Sequence, residues 1–313
     1  MTKPYDFVPF LKFEPYNSNE QKFKYEEGRI PIRIKTLTPI HISSGEYGVD
    51  NSNSLIYKEF IKINNIPVIP GTSFKGCIRS IAESISHSCI SLIDKRKYKS
   101  IPEFKFREQV YDKKNEPKNI NEKERKKKDD NVDCIVCDMF GSLGHKSKIT
   151  FSDLKGIYSK SRGAEYRFEI KGMPVSFNPH PETDYYFENG KYKGYKFYKH
   201  GRNGIQPKGE ILCEFVSENS FFEGEIIFRN LTEEQIQLLC FSMGLSGDIN
   251  PKIGYGKNYY YGSIEVTSDE EWIEKARQYK INADNDIKGN IERLISILSY
   301  KNAVSSLDYD NDL

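Results

Sequence analysis

The residues of this chain whose types and spacing could do chemistry fall in four stretches. Residues 69–79, Ile-Pro-Gly-Thr-Ser-Phe-Lys-Gly-Cys-Ile-Arg, place a Pro-Gly turn before a helix start. Unpaired backbone N–H groups and the positive end of the helix dipole make such a start attractive to anions. Ser73 sits in the first turn, and Lys75 and Arg79, four apart, share one face from which they could clamp phosphates. A capped helix with two solvated cations fits the same residues. The Gly-x4-Gly-Lys-Ser/Thr pattern of a P-loop is absent, which argues against an NTPase.

Residues 252–262, Lys-Ile-Gly-Tyr-Gly-Lys-Asn-Tyr-Tyr-Tyr-Gly, form the second stretch. Gly254 and Gly256 would let backbone approach a ligand closely, Lys257 supplies charge, and Tyr255 and Tyr259 could stack on bases. A flexible hairpin accounts for it equally. The third is Cys134-Ile-Val-Cys137, with His87 and Cys89 on the far side of a long polar excursion. His87, Cys89, Cys134 and Cys137, with His145 as the substitute for one of them, would let Zn²⁺ pin both ends of that excursion. A pair of reduced thiols beside a turn is the other reading. The fourth stretch, residues 140–153, carries His145, Lys146 and Lys148 on a glycine-containing turn. Its cations suit either phosphates or an ordinary surface loop.

Positioning these residues requires a scaffold, and the hydrophobic pattern predicts one. Ile30, Ile32 and Ile34 alternate with polar residues in a first strand over 29–38. A turn-rich loop follows over 39–53. Two short strands, 54–63 and 66–69, meet at Asn64-Asn65 as a hairpin turn. A helix capped by Thr72 or Ser73 runs to about 88, with Phe74, Cys77, Ile78, Ile81, Ala82 and Ile85 on one stripe. Residues 149–157 begin as a strand, and 210–217 and 221–228 read as a hairpin. Thr232 and Gln235 form a capping box for a further helix. A strand over 259–266 then returns to the sheet, and one or two helices follow within 268–300. The order implies an α+β, ferredoxin-like domain with long insertions and C-terminal helices. Its expected divisions are an N-terminal arm (1–28), the main domain (29–266) with a basic, exposed or disordered insertion at 90–133 and a Tyr-rich insertion at 158–209, and C-terminal helices with an acidic tail (267–313).

Composition bounds the rest. With 47 Lys plus Arg against 45 Asp plus Glu, the net charge of +2 over 313 residues excludes a polycation. Six scattered cysteines are too few to staple such a chain, which favours a reducing compartment. No apolar run approaches the roughly 20 residues needed to span a bilayer, and residues 1–10 lack the pattern of a signal peptide. No membrane partner is expected, and a cytoplasmic location is.

Taken together, Thr38-Pro-Ile-His-Ile-Ser-Ser-Gly, Pro67-Val-Ile-Pro-Gly-Thr-Ser-Phe-Lys-Gly-Cys-Ile-Arg, Met139-Phe-Gly-Ser-Leu-Gly and the late glycine loop resemble the RAMP superfamily of CRISPR-associated proteins. Within it the chain is similar to backbone-type subunits of type III, RNA-targeting effector complexes. The resemblance implies a modified RNA-recognition-motif fold, an antiviral role, and as partners a guide RNA, a complementary target RNA and other effector subunits. It places His41, Ser43, Ser44, Ser73, Lys75, Arg79, Lys146, Lys148, Gly254, Gly256 and Lys257 on RNA. A thumb-like hairpin that intercalates between guide–target segments is also implied, as is structural zinc supporting an insertion. Some such subunits cut target RNA with an acidic residue after the first strand; here that implies Asp50, with Mg²⁺, although Asn51, Ser52 and Asn53 stand where the family's aspartate usually falls. A turn-forming role accounts for Asp50 as well. The alternative, a stand-alone guide-processing endoribonuclease, needs a histidine acid/base pair drawn from His41, His145 and His200.

Overall fold

Strand β1 (Tyr5–Val8) opens the chain inside what the sequence suggested was an irregular arm, paired along Tyr5↔Tyr198 to Val8↔Tyr195 with a strand far downstream. The structure, a computed structural model, describes residues 3–16, 25–50, 55–90, 134–142, 145–158, 166–174, 187–188, 191–201 and 209–306. The basic insertion expected at 90–133 lies outside them beyond Ile90, as do much of the Tyr-rich insertion and the acidic tail.

The alternation read for the first strand holds in β2 (Glu26–Thr36), where Ile30, Ile32 and Ile34 are buried and Arg29 is exposed. The turn-rich loop is instead largely a strand, β3 (Ser43–Asp50), which hairpins with β4 (Leu55–Phe60). Next come β5 (Lys62–Ile63) and β6 (Ile66–Ile69), joined where Asn64 and Asn65 adopt φ of 52° and 64°, the left-handed pair a two-residue turn requires. Helix α1 (Gly71–Ser84) buries Phe74, Ile78, Ile81 and Ala82. After the insertion come α2 (Ile135–Phe140), β7 (Ile149–Phe151), β8 (Leu154–Gly156), β9 (Phe168–Met173), β10 (Phe187–Glu188), β11 (Lys191–Tyr192) and β12 (Tyr195–Tyr198). Then follow β13 (Ile211–Val216), β14 (Phe221–Leu231) and α3 (Glu233–Ser242), whose Thr232–Gln235 capping box forms as expected. Strand β15 (Ile264–Thr267) and helices α4 (Glu270–Asn282), α5 (Asn285–Leu298) and α6 (Tyr300–Ser306) complete the described chain.

The larger sheet runs β15-β2-β14-β8-β6-β5, antiparallel throughout. Among β2, β8, β14 and β15, the spatial order is fourth, first, third, second, with α1 between the first two in sequence and α3 between the last two. This α+β arrangement is consistent with the ferredoxin-like plan. Helices α1, α3, α4 and α5 share one core with the sheet, through residues such as Ile78, Leu239, Ala276 and Leu294. Helix α3 is buried from Gln235 to Ser242 because α4 covers it from outside.

A second sheet, β3-β4-β13-β9, corrects the expected 210–228 hairpin: β13 and β14 belong to different sheets. Thr36 is the reason. Its Oγ1 donates to Ser217 O at 2.9 Å and accepts from Ser220 N at 2.8 Å, so the chain crosses between sheets at that point. The last strand also starts later than expected, because residues Lys257–Tyr259 form a 3₁₀ turn. Among the described residues no helix is long and apolar enough to cross a membrane.

Candidate functional site

A cavity of about 450 Å³ opens between one face of α1, strand β12 and the glycine loop. Ser73, Gly76, Cys77 and Ser80 line it from α1, Lys196 from β12, and Lys252, Gly254 and Lys257 from the loop. Ser73, Gly76, Cys77 and Ser80 share one stripe because they recur at helical spacing. Gly76 has no packing reason to be glycine, since a Cβ built there meets nothing within 4 Å. A glycine inside a helix costs about 1 kcal/mol relative to alanine.

The loop brings charge to this space. Lys252 is buried, donates to Lys199 O at 2.8 Å and Lys257 O at 3.3 Å, and is pushed down to about 7 by burial and then by Lys257. Lys257 donates to Gly254 O and is likewise lowered by burial. Gly254, at φ +82°, is explained internally: a Cβ would lie 2.3 Å from His41 O, where Tyr255 N donates at 2.9 Å. His41 itself is buried beside Phe215, its Nδ1 bonded to Glu214 O at 2.6 Å, and burial lowers its pKa. It holds the glycine loop through its main chain and does not line the cavity. Gly256, at φ +77°, is confined by Met173 and Tyr261.

The start of α1 differs from the expectation in two ways. Its cap position is Pro70, with no side-chain cap bond, so Thr72 and Ser73 lie within the helix. The anion at its first N–H is the protein's own: Gly71 N donates to Asp153 Oδ1 at 2.9 Å. Lys75 and Arg79 form no clamp on the cavity face, because a helix turns residues 75 and 79 away from 73, 76 and 80. Lys75 donates to Ser147 Oγ at 2.7 Å and is lowered by burial and then by Arg79. Arg79 bonds Glu83 Oε1 and Gly141 O, each at 2.9 Å.

Beside Arg79, α2 builds a thiol cluster. Cys134 caps the helix by accepting from Cys137 N at 3.3 Å, and the two Sγ atoms share a buried space with that of Cys89. Cys89 Sγ lies 3.3 Å from Cys137 Sγ and 3.6 Å from Cys134 Sγ, with all three within 4.8 Å of one another. Hydrogen bonding with Cys137 and then Cys89 shifts the Cys134 thiol down, while hydrogen bonding with Cys134 and then Cys137 shifts Cys89 up. Tetrahedral Zn–S bonds of about 2.3 Å put sulfurs about 3.8 Å apart, close to the spacing here. These three cysteines could hold a metal ion.

His87 does not join them. Its Nδ1 bonds Lys12 O at 2.8 Å and its Nε2 bonds Asp284 Oδ2 at 3.0 Å, tying the segment after α1 to the cap of α5. Nor does His145 come within the cluster, and among the described residues no fourth side-chain ligand does.

A family model, the RAMP superfamily, matches residues 33–299. The chain belongs to the RAMP superfamily. No curated protein matches it. Membership gives this RAMP protein a CRISPR-associated, RNA-binding role, with RNA and CRISPR complexes as its partners.

The remaining expected residues of this RAMP protein sit apart from the cavity. Ser43 and Ser44 accept from Gly45 N and Glu46 N at 3.2 and 3.0 Å, shaping the bulge at the start of β3. Lys146 is exposed, whereas Lys148 is drawn to Asp138 Oδ2 at 2.7 Å. Asp50 ends β3 opposite Leu55, on a hairpin that exposes Tyr47, Val49 and Ile56. His200 is buried, bonded to Ser263 Oγ, Asn250 O and Leu298 O, and held down to about 3 by burial and then by Lys252. Sequence reasoning overlooked Gly76, Lys252 and Asp153. Gly76 was detectable, as a glycine at mid-helix with no turn to serve; the other two were not, since their roles arise from distant segments.

Proposed function

We propose that this RAMP protein is a guide-RNA-binding subunit of a type III CRISPR effector ribonucleoprotein, acting in the cytoplasm in antiviral defence. The guide lies along the α1 cavity face and the loop over 252–257, with complementary target RNA and other effector subunits assembling on it. The observation that carries this reading is the open face at Gly76, facing Lys196, Lys252 and Lys257 across one cavity. Lysines and serines over a small-residue helix face suit phosphates and 2′-hydroxyls, contacts that ignore base identity, as a variable guide requires. The RNA-binding unit is the 29–266 domain, and the helices from 267 onward close one side of the cavity through Leu298.

Cys89, Cys134 and Cys137 hold a structural Zn²⁺ in this reading. The ion supplies a cross-link between the two ends of the insertion, which the cysteines bracket in sequence. The β3–β4 hairpin serves as the thumb, with Val49 and Ile56 available to lie against bases. Asp50 at its end is the residue assigned to Mg²⁺-dependent target cleavage. The rival guide-processing reading gains nothing from His41 and His200, which are buried, His41 bonded through Nδ1 and His200 through both ring nitrogens; of its three candidate histidines His145 is the exposed one.

Filter binding of guide RNA by the full chain tests the grip. Lys252→Met plus Lys257→Met should weaken binding and flatten its salt dependence, by about 0.7 in the slope of log K against log salt for each phosphate no longer neutralised. An unchanged affinity and slope would remove the cavity from the RNA path.

A further inference from the structure

Arg79 is the α1 side chain that reaches the thiol cluster. Its Nη2 donates to Cys137 Sγ at 3.8 Å, while Nε bonds Glu83 Oε1 and Nη1 bonds Gly141 O. Each edge of the planar guanidinium therefore meets a different element: α1 itself, the turn after α2, and the thiol. The group is held in place by its surroundings. Glu83 is 3% exposed and Arg79 19%, and the guanidinium carbon lies 5.9 Å from the Phe140 ring centre. On its other side α2 is fixed through Asp138 Oδ2, which accepts from Lys148 Nζ at 2.7 Å and Gln235 Nε2 at 2.6 Å. Helix α2 thus presents Cys137 to Arg79 in a defined direction.

A divalent ion bound by these cysteines requires their deprotonation, the three protons passing to solvent. Three thiolates and a 2+ ion leave one net negative charge in a site whose cysteines are 4%, 1% and 2% exposed. A charge-assisted N–H donor to one sulfur lowers the cost of that charge and orients the ligand. Lysine could supply the charge at this position but not three donors in one plane.

We propose that Arg79 is a positioning residue of the metal site, donating an N–H···S bond to the Cys137 thiolate and thereby setting metal affinity and the electronic character of that sulfur. The proposal rests on the reading of Cys89, Cys134 and Cys137 as metal ligands. It assigns Arg79 to the metal site, although the sequence had placed it on RNA.

The test is titration of the metal-stripped full chain with Co²⁺ and Zn²⁺ alone. A thiolate-to-cobalt charge-transfer band in the wild-type chain establishes the site; its absence overturns the metal reading itself and the role of Arg79 with it. Given the band, Arg79→Met should lose about 10–100-fold in Zn²⁺ affinity by chelator competition. The same variant should move the cobalt band to lower energy, because a sulfur without its hydrogen bond gives up electrons more readily. Arg79→Lys should fall between the two, and provides the measurement if the methionine variant folds poorly. Glu83→Gln breaks the ion pair but keeps Arg79, so its affinity and band should stay near those of the wild type. Wild-type affinity and band position in both Arg79 variants would overturn the proposal. So would a Glu83→Gln loss as large as that of Arg79→Met, which would assign the effect to the ion pair.

Discussion

Gly76 allows folding and binding to be separated by substitution at one position. It lies in the interior of α1, and a methyl group on its Cα would have nothing within 4 Å, so alanine there meets no clash. Alanine is favoured over glycine in a helix interior by about 1 kcal/mol, part of it from the restricted unfolded chain. For a chain of this size that corresponds to a rise in Tm of about 2 °C. Leucine is nearly as good a helix former as alanine, so Gly76→Leu should also fold. Its side chain, however, projects into the cavity among Ser73, Ser80 and Lys252. A guide RNA that follows this face must then be displaced, and a loss of about tenfold, or 1.4 kcal/mol, is expected. Thermal melts followed by circular dichroism and filter binding at one fixed salt concentration measure the two effects side by side. A lowered Tm for Gly76→Ala would refute the argument from open space. Wild-type guide affinity in a well-folded Gly76→Leu would refute the assignment of the cavity to RNA.

Further outcomes follow from the buried and clustered groups. His200 is held neutral down to about 3, so the unfolded chain takes up a proton near 6.5 that the native state refuses. Its contribution to stability is complete above 6.5 and is lost as pH falls toward 3, at about 1.4 kcal/mol per pH unit. His200→Leu should be less stable at pH 7 by about 1–3 kcal/mol, from unpaired carbonyls, yet show a shallower decline in urea melts between pH 6.5 and 4. Metal analysis of the purified chain should find close to one Zn, lost in Cys134→Ser plus Cys137→Ser; a full complement in that variant would place the metal elsewhere. The assembled particle with Mg²⁺ and complementary RNA should give regularly spaced cuts that vanish with Asp50→Ala. Cuts that persist would assign the chemistry to another residue.

The features legible in the sequence are those set by neighbours a few residues apart. Alternation of Ile30, Ile32 and Ile34 announced β2, Asn64-Asn65 announced a hairpin turn, and Thr232 with Gln235 announced a capping box. Strand β3 escaped notice because Ser43, Ser44, Gly45, Glu46 and Gly48 dilute its pattern, and its pairing with β4 supplies what periodicity does not. Of the metal ligands expected, three cysteines converge, but His87 turns to Lys12 and Asp284, partners 75 and 197 residues away. Sequence spacing cannot weigh such competitors.

By itself, the sequence determined the order and type of the principal elements, the stripe that α1 buries, and the cysteine spacing around the insertion, since each depends on local backbone preference and hydrophobic period. Only the tertiary structure decided which faces meet. It sent β13 and β14 to different sheets through Thr36, supplied Asp153 to the start of α1, and turned Arg79 toward Cys137 while Gly76 opened onto the lysines of a loop some 180 residues later. Those outcomes depend on burial and hydrogen-bond satisfaction across the whole core, where groups distant in sequence compete for the same partners.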